Sequence, residues 1–577
     1  MKKIKQIIIP LCLMFALFSC GKGFLETSPK AQITDEQLPT TKAVNNALIA
    51  AYGLVNGNIN GTWGNYSSAP SQWLFGEVAS DDAHKGSSNA DQSPMNDIEL
   101  HKVLPSNDNL PTMWNNYYEG VIRCNFTLKM LAQLQASDVS DKFTDEEATS
   151  IEAQAKFLRA HYYFFMTRVF GNEIPYIDES ITKTADAAKV ANDVDITPKI
   201  EEDLKFAVEN LTYEKPNNEA GRVDKYAAES YLGKLYLYEK KYDQALPLFK
   251  DVISKKPALI SIPFTDNFDI NKENGPGSIF AAQQIINPDG SGDNGNVGDM
   301  LSGFYGSAPV SCCGFFQPSL DLVNAYKVDA NGLPILDPSD YRKNPYVSDL
   351  GLDTAQKRHY QVDQSLHFDP RLDYTVARRG VPFKDWGIFP GDDWIREVAF
   401  AGPFLSKKQM INKADFAGNT VPGTEEITGL NVNIIRLADV YLMAAECAAQ
   451  TNDLAYALAR VNDVRSRAAL LPGKKIDGKP AAVYTIKPYP SFASKEYAMQ
   501  AIETERRLEL ALEGHRFYDL VRWGIAKTVI ESYQNFEKEY VSASKTITFE
   551  KKDEIFPIPQ QQIDRSGGVL KQNAAGQ

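Results

Sequence analysis

The sequence predicts a mostly α-helical protein: a tetratricopeptide-repeat scaffold carrying a long insertion of irregular loops and short strands. Three observations lead there. From Leu232 onward, Gly233, Tyr236, Ala245, Phe249 and Pro257 fall in the register of a tetratricopeptide helix pair. Residues 151–170 are apolar around almost the whole helical circumference, the pattern of a buried helix. Residues 261–426 are rich in Gly, Asn, Asp and Pro, the composition of turns.

With 577 residues and 43% apolar content, the chain can bury a large core. It divides into a leader, 1–19; an N-terminal helical part, 20–260, with the repeat near 225–257; the irregular insertion, 261–426; and a C-terminal helical part, 427–577. In the leader, Lys2, Lys3 and Lys5 precede an apolar run over 7–18, too short to cross a bilayer core of about 30 Å. Leu17, Phe18, Ser19 and Cys20 form a lipobox-like close, so cleavage before Cys20 would leave its thiol to carry acyl chains. Loss of those three lysines takes the net charge from −13 to −16. That balance disfavours nucleic acid or any other polyanion as a partner. Cys124, Cys312, Cys313 and Cys447 show no zinc or redox spacing. Cys312 and Cys313 could be free, joined to each other or paired elsewhere.

Residues 38–58 read as a helix, with Ala43, Ala47, Ile49, Ala50 and Tyr52. Residues 56–97 turn to Gly, Asn and Ser and carry Trp63, Tyr66 and Trp73, a loop composition. Helices resume over 113–135 and 151–170, and Gly171 and Pro175 stop the second. His161, Tyr162, Tyr163 and Phe164 read as core. In the repeat, glycine lets the two helices approach and Ala245 sits at their crossing. A weaker copy spans 440–468, with Ala444, Ala445 and Ala448 on its first helix and Ala457 and Val461 on its second.

The insertion holds Phe304, Tyr305, Phe315, Phe316, Tyr360, Trp386, Phe389 and Trp394. Disordered segments are poor in aromatics, so it reads as ordered. Asp289, Ser291, Asp293 and Asp299 imitate a calcium loop, but Asn294 and Met300 break the pattern, and no metal is expected. No HExxH, GxSxG, P-loop or dinucleotide motif occurs, and six histidines are scattered, so neither catalysis nor a cofactor is indicated. Aromatic faces beside Asn, Asp and Gly turns suit sugar rings and their hydroxyls. The candidate ligand residues are Trp63, Tyr66, Trp73, Tyr305, Phe315, Phe316, Trp386 and Trp394, joined by Asp82.

The C-terminal part holds the densest pattern. Over residues 502–524, Ile502, Leu508, Ala511 and Leu512 share a stripe, Gly514 is a stop, and a short second helix ends at Gly524. Glu505, Glu509 and Glu513 are spaced by four, so an unmatched row would repel itself. The matching arginines are expected among Arg506, Arg507, Arg516 and Arg522 nearby, or Arg436, Arg465 and Arg467 further off. Ile555 to Pro559 reads IFPIP, fixed in extended form by its prolines.

Together these segments resemble the SusD/RagB family. Glu505, Arg506, Glu509, Glu513, Gly514, Arg516, Asp519, Leu520, Arg522, Trp523 and Gly524 follow its C-terminal signature. EAQAKFLRAHYYFFMTRVFGNEIPY, NIIRLADVYLMAAECA with ALARVNDVRSRA, and FPIP with Gln572 and Asn573 resemble three more, and Phe24, Leu25 and Glu26 its opening tether. Glu77, Ser80, Asp81 and Asp82 resemble its acidic turn near the ligand. The resemblance implies a surface-exposed outer-membrane lipoprotein of Bacteroidetes, with four tetratricopeptide units behind a ligand face. It implies an oligosaccharide ligand and a SusC-like TonB-dependent transporter that the protein covers as a lid. A peptide-binding lid and a surface glycosidase are the alternative readings.

Overall fold

The computed structural model describes residues 39–59, 64–181, 184–287, 295–307, 310 and 312–576. The leader with Cys20, Trp63, and Asp289, Ser291 and Asp293 lie outside the described residues. The principal helices are α1 (Thr41–Gly53), α2 (Asn109–Ala136), α3 (Asp145–Phe170), α4 (Thr197–Asn210), α5 (Lys225–Tyr238), α6 (Tyr242–Lys255), α7 (Leu437–Gln450), α8 (Leu454–Ala468), α9 (Lys495–Leu510), α10 (Arg516–Trp523) and α11 (Ala526–Glu537).

Their ends follow side-chain chemistry. Thr144 and Glu147 form a capping box at the start of α3, where Asp145, Glu146 and Glu147 also oppose the helix dipole. Gly171, at φ 87°, closes it. Packing runs in chain order: α2 on α3, α3 on α4, α4 on α5, α5 on α6, then α6 on α7 and α7 on α8 and α9. The α5–α6 pair is the predicted repeat. A Cβ on Gly233 would stand 2.6 Å from the Phe249 ring, so only glycine admits this approach. The second copy is α7–α8, with Ala444, Ala445, Ala448, Ala457 and Val461 all buried.

Two antiparallel strand pairs fasten the insertion. Strand β2 (Ser278–Ala282) pairs with β4 (Val432–Arg436), closing the insertion at its base. Strand β1 (Ala83–Gly86) pairs with β3 (Phe315–Pro318), joining it to the N-terminal loops.

The glutamate row is matched from a distance. Glu509 accepts from Arg436 at 2.6 Å and Arg371 at 3.1 Å, and pairs with Arg467. Glu505 meets Arg371 at 2.7 Å and Arg465 at 2.9 Å. Glu513, beyond the end of α9, meets Arg436 and Lys408, each at 2.6 Å. The nearby arginines turn elsewhere: Arg506 to Asp439 and Asp519, Arg507 to Asp82 and Asp321, Arg516 to Asp81, and Arg522 to Glu446. Burial alone would raise the Glu509 carboxyl; the guanidiniums of Arg467, Arg436 and Arg371 overcome it and hold it well below the usual carboxylate range. Glu77 Oε1 accepts the backbone N–H groups of Glu513, Gly514 and His515, fixing the turn between α9 and α10.

Removing one partner of such a network strands the others in the interior. Glu509→Ala is therefore expected to lower unfolding free energy by about 3–5 kcal/mol, read by urea denaturation. A second buried pairing predicts a pH effect. His84 lies between Glu99, 2.7 Å away, and Glu537, 3.4 Å away. Burial opposes its charge, but the two carboxylates raise its pKa from 6.5 to about 10. A raised folded pKa gives stability that is complete below about 6.5 and lost as pH climbs through about 10. Melting temperature should fall over that window, and less steeply in His84→Gln.

Candidate ligand-binding face

The insertion builds its own small core. Phe304, Phe383, Phe389, Trp394, Ile395, Leu405 and Met410 pack together, with Trp386 and Phe416 partly buried against them. Phe304 lies 4.7 Å from Trp394 and 5.9 Å from Trp386 between ring centroids. The Trp386 indole N–H donates to the Ile411 carbonyl at 3.0 Å, which fixes the ring and leaves it half-buried. Tyr305 is tied in by its backbone N–H, which donates to the Trp394 carbonyl at 3.0 Å.

Above this core a polar rim forms. The Arg396 guanidinium stands 5.2 Å from the centroid of the half-buried Tyr305 ring. It donates to Ser87 Oγ at 3.0 Å and pairs with Asp91. Gly314 is wedged between them: a Cβ there would lie 3.4 Å from that of Tyr305 and 3.6 Å from that of Arg396. Cys312 and Cys313, just before it, are joined to each other and half-buried. Tyr66 is buried in the main core; burial raises its pKa, and the Asp91 and Glu426 carboxylates add to the rise. Lys85 donates to the carbonyls of Ser88 at 2.7 Å and Asp91 at 2.6 Å, holding the loop, and burial lowers its pKa to about 8. The rim therefore offers an aromatic face, a guanidinium donor and a carboxylate acceptor together.

Four expected ligand residues are corrected. Trp73 is 1% exposed, and its indole N–H donates to the Gly298 carbonyl at 3.1 Å. Phe315 and Phe316 belong to β3 and pack against Trp73 at 6.5 and 5.6 Å. These rings have no face left for a ligand because the β1–β3 pair lies in the interior. Asp82, fully buried, is held by Arg507 at 2.6 Å and serves the ion network. Tyr66 and Trp394 are 8% exposed, while Tyr305 and Trp386 retain open ring surface. Asp299, from the calcium-like run, is engaged with Ser71 and with Asn296 at 2.7 Å. Sequence reasoning missed Ser87, Asp91 and Arg396. Their signals were position alone: Arg396 two residues beyond Trp394, and Ser87 and Asp91 within the Ser/Asn-rich loop.

The SusD family model matches residues 276–576, just over half of the chain. The chain belongs to the SusD family. A second model, described as starch-binding and associating with the outer membrane, matches residues 23–237 of this SusD-family protein. SusD-like protein P25 of Formosa agariphila is 25% identical over 581 residues, covering 99% of each chain. A SusD-like protein of Bacteroides ovatus is 24% identical over 91% of this chain and 83% of its own. Among solved structures, surface glycan-binding protein A of Bacteroides thetaiotaomicron, in complex with laminarihexaose, superposes with a TM-score of 0.65 at 21% identity, over 93% of this chain and all of its own. A laminarin-binding SusD-like protein gives 0.62 at 22% identity, over 92% and 99%. These likenesses establish the SusD fold with its tetratricopeptide-like helices.

The geometry separates core aromatics from rim aromatics. Trp73→Ala is expected to cost about 3–5 kcal/mol of stability, the range for emptying a buried aromatic site, and Tyr305→Ala less than about 1.5 kcal/mol. Urea denaturation of both variants beside the parent measures the difference.

Proposed function

We propose that this chain is a lipid-anchored, surface-exposed glycan-binding protein of the outer membrane that acts as the lid of a SusC-like TonB-dependent importer. The observation that carries the binding reading is the rim of Tyr305, Arg396 and Asp91 over a rigid aromatic core. A tyrosine ring can lie on the apolar C–H face of a sugar while Arg396 donates to its hydroxyls and Asp91 accepts from them. Trp386, half-exposed beside Phe416, offers a second ring. Trp394 packs in the core beneath these rings, and Trp63 and Tyr66, expected from the sequence, complete the proposed set.

Two further lines support the reading. Solved structures with the same fold are named for binding laminarin or laminarihexaose. The starch-binding family description names the outer membrane, while among the described residues no helix is long and apolar enough to cross one. In this reading acyl chains on Cys20 attach the protein, and the transporter carries out import. The protein holds its ligand without transforming it.

Affinity gel electrophoresis against laminarin and other neutral glycans, beside a peptide panel, tests this. A glycan should retard the protein, and Tyr305→Ala and Arg396→Ala should each weaken retention about tenfold, roughly one aromatic or charge-assisted contact. Binding of peptides alone, or full glycan binding in the double variant, would refute the sugar reading. In cells, Cys20→Ser should abolish acylation and co-purification with a TonB-dependent barrel.

A further inference from the structure

The C-terminal tail crosses back over the helical side of the molecule, far along the chain from the rim. The Phe556 N–H donates to the Val169 carbonyl at 2.7 Å, and Asn573 Nδ2 donates to the carbonyls of Phe170 at 2.9 Å and Phe556 at 2.7 Å. Between this tail, α3, α5 and α10 lies a cavity of about 680 Å3. That volume falls in the range of small-molecule sites.

Arg168 faces it, and its situation is singular. Every other buried or half-buried arginine among the described residues has a carboxylate partner. Arg168 has none. Its guanidinium is instead stacked among Tyr518, Phe165 and Phe164, at 4.3, 4.4 and 4.9 Å from their centroids, with the Tyr238 phenol as its polar neighbour. Its Nε is buried without a hydrogen-bond partner. Across the same cavity Asn573 Oδ1 is also buried without one. One orphan donor and two acceptors without a hydrogen bond, Asn573 Oδ1 and Glu239 Oε2, thus line a single chamber, and each is costly to leave unmet.

Carboxylates on the chamber's edge do not supply the missing partner. Glu239 pairs with Lys241 at 3.1 Å, Glu554 pairs with Lys551, and Asp195 accepts the Thr197 N–H at 2.7 Å. Glu173 is exposed.

We propose that this cavity is a second binding site, for a small carboxylate-bearing ligand with an apolar body. The carboxylate pairs with the Arg168 guanidinium, the geometry arginine is shaped for. A hydroxyl or amide hydrogen of the ligand donates to Asn573 Oδ1, and the surrounding rings cover the body. A sugar acid, whose ring C–H face supplies the apolar surface, and an acylated amino acid both carry this chemistry.

Isothermal titration of the mature chain with D-glucuronate and N-acetyl-L-phenylalaninate, against D-glucose and N-acetyl-L-phenylalaninamide, tests the site and separates the two sources. At least one anion should bind about tenfold or more tightly than its neutral counterpart, and more weakly at high salt, as a charge-assisted contact requires. Arg168→Gln should abolish that preference, and Arg168→Lys should keep part of it. Glycan retention at the Tyr305 rim should be unchanged in both variants, so this site and the rim stand or fall separately. Anions that bind no better than their neutral counterparts would overturn the proposal, as would an anion preference that survives in Arg168→Gln. Should Arg168→Gln fail to fold, the anion-to-neutral ratio and its salt dependence in the parent decide.

Discussion

Carboxylates cannot be carried into a protein interior unmatched, and the row of Glu505, Glu509 and Glu513 carries in three. Isolated buried carboxylates cost several kcal/mol each, so each is stable in the core only when paired, hydrogen-bonded or protonated. Here the partners come from separate stretches of chain: Arg371 and Lys408 from the insertion, Arg436 from β4, and Arg465 and Arg467 from α8. Arg507 and Arg516, on the same helices, reach out to Asp81, Asp82 and Asp321. Paired buried ions add little net stability over well-packed apolar residues, but they admit few alternative arrangements. The network therefore acts mainly on registration. It dictates where the insertion seats against the helices, and through Asp81 and Asp82 where β1 begins.

This arrangement divides the labour between the two sides. The helical back is close-packed at its crossings, as Gly233 against Phe249 illustrates. The insertion has a separate aromatic core, and the rim rests on that core through the Tyr305–Trp394 backbone bond. A surface on such a base is held in place before any partner arrives, so engaging one would cost little reordering entropy.

The helices, the repeat and the αL stop at Gly524 were legible because they are written in local spacing. The glutamate row announced that it wanted positive charge, and Arg436, Arg465 and Arg467 were among the candidates. Arg371 was not, because nothing near it in a Gly/Pro-rich stretch marks it as a core residue. The loop aromatics were the harder problem. Trp73 and Tyr305 occupy similar company in the sequence, yet one is sealed under β3 and the other is left open. Pairing of β1 with β3 decides that, across more than two hundred residues, and no local pattern encodes it. The rim residues Asp91 and Arg396 are likewise defined only by each other.

The β2–β4 pair has an evolutionary consequence. It brings the entry and exit of the insertion side by side on one small ribbon, beside the helices but apart from the rim. Chain added or removed beyond such a clasp alters closure entropy only slowly, about 0.6 kcal/mol for each doubling of length. Loops behind it that carry none of the buried partners, Arg371, Lys408 and β3, can thus be lengthened or replaced like an interchangeable cassette while the supporting architecture is retained.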